Sequence, residues 1–154
     1  MFDVITFNPA DVILSVAGYN CVGWEEISIE RNSDVFKPIK AIRGGRTRVR
    51  DLDTSATVSL TLLQVSPTND VLTRIVQEDY ISGTGRIDLL LKDQSGNSIF
   101  GSSEAYIKGF PKVVYRDSVE AVVWVFECQS TDEYFVGGNS RPNNALLDLV
   151  GKLI

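Results

Sequence analysis

Six basic residues and no acidic one lie between Lys37 and Arg50: Lys37, Lys40, Arg43, Arg46, Arg48 and Arg50. The chain holds fifteen basic and twenty acidic residues, so this segment carries +6 and the remainder, nine against twenty, carries −11. Such a segment can pair with phosphate, dock on an acidic surface, or stand solvated as a charged loop, and the local residues leave all three open. Nucleic acid is disfavoured by the acidity of the whole chain and by the lack of stacking aromatics within the basic run. Arg46, Arg48 and Arg50 alternate as residues on one face of an extended ribbon do, and Gly44-Gly45 just before them supply a bend. The expected element is a long basic hairpin or inter-strand loop over residues 37–51.

Catalytic chemistry finds little to work with. Histidine is absent, which excludes a His-dependent triad and a His-ligated zinc site. Glu25 and Glu26 are adjacent and point to opposite faces of a strand, so they do not pair as acid and base. Asp51 with Asp53, and Asp132 with Glu133, lack the spacing of a calcium loop and read as solvated carboxylates. Gly83-Thr84-Gly85 and Gly137-Gly138-Asn139 fit no phosphate-binding motif and read as turns. No cofactor and no enzymatic activity are expected. Cys21 and Cys128, far apart and outside any CxxC motif, read as buried free thiols.

The elements that must position the basic segment follow from a period of two. Residues 55–62 set Ala56, Val58, Leu60 and Leu62 against Ser55, Thr57, Ser59 and Thr61, the pattern of a half-buried strand. Similar runs at 12–17, 26–30, 87–91, 98–108, 112–116 and 119–128 bring the expectation to about seven strands. Val122 to Phe126 is apolar on both faces, which predicts an interior strand covered on both sides. Hairpin connections are expected at Asp93 to Asn97 and at Asp117-Ser118. One segment has a helical period instead. Ser66-Pro67 opens it, Val71, Leu72, Ile75 and Val76 form its apolar stripe, and Ser82-Gly83 end it, predicting one helix over about 67–80. Leu146, Leu149, Val150 and Leu153 have helical spacing too, so residues 140–154 are expected to form a short C-terminal helix or arm, closing the core or clamping a neighbour. No apolar run approaches the roughly 20 residues of a membrane span, and the first eleven residues do not read as an export signal. The whole of 1–154 is expected to be one mainly β domain with a flanking helix.

Five segments, in order, resemble the tail-tube family of contractile-tailed phages: Ile27-Ser28-Ile29-Glu30 on to Phe36, Thr57 to Leu72, Leu90 to Gly96, Trp124 to Cys128, and Phe135 to Asn139. The resemblance implies two packed antiparallel sheets in a sandwich or barrel, related in outline to the tube subunits of type VI secretion, with copies assembled as hexameric rings stacked into a hollow tube. It places an inter-ring contact on the insertion Phe36 to Asp53, hence on Phe36, Lys37, Lys40, Arg43, Arg46, Arg48, Arg50, Asp51 and Asp53. It further implies a sheath outside, a tape-measure protein and double-stranded DNA inside without specific binding, and a place in the virion after synthesis in the host cytoplasm. An acidic wall suits that role because it repels phosphate. A secretion or bacteriocin tube, and a nucleic-acid module using the basic loop, are the competing readings.

Overall fold

The computed structural model describes residues 7–138. The segment 140–154, with its expected C-terminal helix, lies outside the described residues. Ten strands and one long helix follow in the order β1 (Val12–Val16), β2 (Tyr19–Asn20), β3 (Trp24–Arg31), β4 (Phe36–Lys40), β5 (Arg46–Arg50), β6 (Ala56–Leu63), α1 (Thr68–Ser82), β7 (Ile87–Asp93), β8 (Ile99–Ile107), β9 (Ala121–Cys128) and β10 (Glu133–Phe135). They make two antiparallel sheets: a main one ordered β2-β1-β7-β8-β9-β6-β3, with β10 added beside β8, and a separate two-stranded one, β4-β5.

Alternation in β6 does what its pattern demands. Ala56, Val58, Leu60 and Leu62 are buried while Thr57, Ser59 and Thr61 are not. The buried set meets Val122, Trp124 and Phe126 of β9, with Leu14 and Val16 of β1, Leu89 of β7 and Phe100 of β8 in the same cluster. One core thus takes side chains from both halves of the main sheet, which folds over itself into the two layers of a sandwich.

Helix α1 closes one side through Leu72 and Val76. Gly83 ends it in the left-handed region at φ 69°, where its N–H bonds the Asp79 carbonyl. At the other end Ser66 Oγ accepts from the Thr68 N–H at 3.2 Å and donates to the Val22 carbonyl at 2.6 Å. Fully buried Thr68 accepts from the Val22 N–H at 2.9 Å and donates to the Val22 carbonyl at 3.1 Å, tying the helix start to the β2–β3 connection. Replacing Thr68 by Val keeps the shape and deletes both bonds. It is expected to cost about 1–3 kcal/mol, read as a lowered urea midpoint with an unchanged slope.

Three expectations are corrected. Residues 112–116 form no strand: Pro111 cannot donate to a ladder, and both edges of β9 are already taken by β6 and β8. Asp117-Ser118 therefore joins no hairpin. Among the described residues the strands number ten, because the basic segment forms two and β2 and β10 are two and three residues long. Residues 93–97 do join β7 to β8, and β9 is an interior strand as its apolar run demands.

Candidate functional site

The basic segment is a true hairpin standing off the main sheet. Phe36 pairs with Arg50, Pro38 with Arg48 and Lys40 with Arg46, while Lys37 faces Val49 and Ile39 faces Thr47. Cross-strand partners share a face. One face therefore carries Arg46, Arg48, Arg50 and Lys40 around Phe36 and Pro38, and the other carries Ile39, Val49, Thr47 and Lys37. The Arg48 guanidinium lies 4.0 Å from the Phe36 ring centroid, a cation–π contact that holds it extended. Alternation of the arginines was legible beforehand; the apolar second face was not, because it depends on which residues pair.

All ten strand residues are exposed, and Ile42 at the tip is wholly so. An isolated two-stranded ribbon is marginal in water. Its base is pinned instead. The Asp51 carboxylate accepts from the Asp53 N–H at 2.9 Å and meets the Lys37 ammonium at 3.1 Å, and Asp53 accepts from the Ser55 N–H at 2.9 Å. The Asp53 N–H, then Lys37, hold the Asp51 carboxyl below the usual carboxylate range, and the Ser55 N–H does the same for Asp53. Depressed carboxylates stabilise the folded base above their ordinary pKa and cease to do so as pH falls through the depressed value. The hairpin base is expected to loosen below about pH 3.9, read as faster protease cutting within 36–50, with Asp51→Asn showing the same loosening at pH 7.

The two outward sheet faces differ in chemistry. On β3-β6-β9 the outward rows are Glu26 with Thr61, Ser28 with Ser59, and Glu30 with Thr57, continuing to Val123, Val125 and Glu127. Glu127 accepts from Asn32 Nδ2 at 2.7 Å and from Thr57 Oγ1 at 3.1 Å, and Lys108 stands 3.9 Å away. This face is rich in hydroxyls and acids. Val123 and Val125, expected to be covered, lie on it open to solvent or half-buried.

Among the described residues no three metal-ligating side chains converge, and no helix is long and apolar enough to cross a membrane. An open cleft of about 500 Å³ runs between Asp79, Arg86 and Glu104. Its charges are engaged in holding the chain: Asp79 accepts from the Gly85 N–H at 2.8 Å, and Arg86 lies 3.7 Å from Glu104. A Cβ at Gly85 would overlap the Asp79 carboxyl, so glycine is required at this close approach. Both cysteines are buried, and burial pushes the Cys21 thiol up to about 11.

No protein-family model matches the chain. Structural protein ORF10 of Pseudomonas phage KPP10 is 32% identical over 129 residues, 82% of this chain and 74% of that protein. Two solved structures share the fold at low identity. A chain of the anti-feeding prophage cap, a tube-terminating cap, is 8% identical with a TM-score of 0.60 over 88% of this chain and 95% of that one. A chain of the sheath-tube complex of the extracellular contractile injection system PVC is 13% identical with a TM-score of 0.57 over 84% of this chain and 90% of that one.

Proposed function

The chain belongs to the family of the phage structural protein ORF10, and from that premise we propose that it is the repeating subunit of a tail tube, built as hexameric rings that stack. The carrying observation is the hairpin. It projects from the Arg31 and Ala56 end of the main sheet, has no core of its own, and shows one cationic and one apolar face. A ribbon of that kind is completed by another surface, and a second copy along the axis supplies one without any further component. The inter-ring contact then rests on Phe36, Lys37, Lys40, Arg43, Arg46, Arg48 and Arg50, with Asp51 and Asp53 bracing the base.

The face of β3-β6-β9 is assigned to the lumen. Glu26, Glu30 and Glu127 among serines and threonines give a wetted wall that repels phosphate and lets DNA slide past unbound. In this reading the protein is part of the virion, made in the host cytoplasm, with the sheath outside and the tape-measure protein inside during assembly. The work is mechanical and electrostatic, with no bond chemistry. A secretion or bacteriocin tube would use the same surfaces without DNA.

Electron microscopy of the purified protein tests this directly. Rings with a central hole that stack into tubes are expected. Monomers at every concentration and salt sink the reading, and single rings that never stack favour a tube-terminating role. A nucleic-acid module would instead show salt-sensitive DNA affinity lost on changing Arg46, Arg48 and Arg50 to Ala, whereas the tube reading expects little affinity to lose.

A further inference from the structure

Lys112-Val113-Val114-Tyr115-Arg116 suits a strand by composition, yet in the single chain it has no ladder. Val113 is 47% exposed and Tyr115 84%. Among the described residues one bond reaches its backbone, from Gln64 Nε2 to the Val114 carbonyl at 3.3 Å. An extended segment that keeps this bond turns the N–H and C=O of Val113 and Tyr115 to its other edge, where no described strand pairs. A second open edge lies on β3, which ends the main sheet. The Asn32 N–H goes to the Ser55 carbonyl on the β6 side, so by alternation Ile27, Ile29 and Arg31 turn theirs away from β6. Ile27 and Ile29, with Trp24, Val12 and Leu91, also line an apolar cleft of about 280 Å³ between β3 and the β1-β7 side of the sandwich. An eight-residue edge beside such a cleft is a template for another strand.

We propose that residues 112–116 of one copy add to the β3 edge of the next as an antiparallel strand, with Val113 opposite Ile29 and Tyr115 opposite Ile27. Backbone, side chains and charge agree on this pairing. These four residues are the ones whose N–H and C=O face the open edges, and opposed residues of that kind exchange both bonds only when the strands are antiparallel. Cross-strand partners share a face, so Val113 and Tyr115 join Ile27 and Ile29 over the apolar cleft, and Val114 meets Ser28. The same register sets Lys112 opposite Glu30 and Arg116 opposite Glu26, opposite charges at both ends. Glu26 and Glu30 are exposed in the single chain, and Arg116 makes only an exposed contact with Glu120 at 3.7 Å, which is readily exchanged. Ion-paired in this way, the two cations offer phosphate no net attraction on the face assigned to the lumen. The segment runs on from β8, which stands at the opposite end of the β8-β9-β6-β3 run from β3, so the pair joins two chains. Two different surfaces meet, a head-to-tail contact that closes a ring when its rotation allows. The inference rests on the tube reading in taking a second copy as the partner, and it concerns neighbours within a ring, whereas the hairpin serves between rings.

Disulfide trapping in the assembled full chain tests the register. Ser28 and Val114 of adjoining copies should stand with Cα atoms about 4.5 Å apart, within disulfide reach. Ser28→Cys with Val114→Cys is expected to give a ladder of covalent oligomers on a denaturing gel without reductant. Ser28→Cys with Lys112→Cys, two residues off register at about 7–8 Å, is expected to cross-link about tenfold more slowly. Native Cys21 and Cys128 are buried and add little background. Separately, Lys112→Glu with Arg116→Glu is expected to raise the concentration needed for rings about tenfold, and adding Glu26→Lys with Glu30→Lys is expected to restore it. That rescue separates a lost contact from lost folding, and Trp124, held by Asn69 at 2.9 Å, reports by its emission that each variant is folded. Rings that form without the matched cross-link, or a charge reversal that has no effect or is not rescued, overturn the pairing and leave the tube reading standing. Unaltered protein that stays monomeric at every concentration overturns both.

Discussion

Changing Arg46, Arg48 and Arg50 together to Glu is expected to leave a folded protomer that no longer grows tubes. The three guanidiniums occupy one face of the β4-β5 hairpin and touch none of the core, so the melting temperature of the protomer should move little. Assembly should respond far more strongly, because the proposed hexameric ring would repeat each contact six times. Even about 0.5 kcal/mol per copy sums to about 3 kcal/mol per ring interface, on the order of a hundredfold rise in the concentration needed for tubes. Sedimentation and electron microscopy across a concentration series give the number. High salt should partly reproduce the effect in the unaltered protein, since exposed charge pairs are screened. Ile39→Ser with Val49→Ser should weaken stacking with little salt dependence, because that face of the ribbon is apolar. Tubes that form at the original threshold with three glutamates in the hairpin would show that the ribbon is not the bridge.

The largest effect on folding is expected from Phe126→Ala. Phe126 is fully buried in the middle of the sheet, between Val58 on β6 and Ile107 on β8. Truncating it leaves a cavity and should cost about 3–5 kcal/mol, a large share of the 5–15 kcal/mol that a domain of this size has. At about 3 °C per kcal/mol the transition should fall by about 10 °C or more in calorimetry. The contrast lies one residue back on the same strand. Val125 points to the outward polar face, and Val125→Ser should change protomer stability by under about 1 kcal/mol. Comparable losses at 125 and 126 would mean that the assigned faces of β9 are wrong, and with them the lumen assignment.

Much of the fold could be read from residue order. Alternation over 55–62 specified a strand and its buried face, since a period of two allows one set of side chains inside. The helix was bounded by Pro67 and Gly83, each with a conformational reason to stand at an end, and runs Thr68–Ser82. Residues 112–116 misled for the opposite reason: Val113, Val114 and Tyr115 suit a strand, but a strand exists only when a neighbour offers its ladder. Strands β2 and β10 are too short for any period to register, and their assignment rests on hydrogen bonds to β1 and β8.

Taken alone, the sequence determined the charge separation, the absence of histidine chemistry, the basic ribbon with its three arginines on one side, and the β-rich class. These are local quantities, set by residue type and by spacing along a few positions. Tertiary structure decided which residues share each surface. Glu26 and Thr61, or Ile13 and Phe135, are distant in the chain and become one acidic or one apolar face only when the sheet order brings their strands together. The same pairing gave the hairpin its second, apolar side. Register between strands is a non-local property, and it converts a list of side chains into surfaces that can meet water, nucleic acid or another protein.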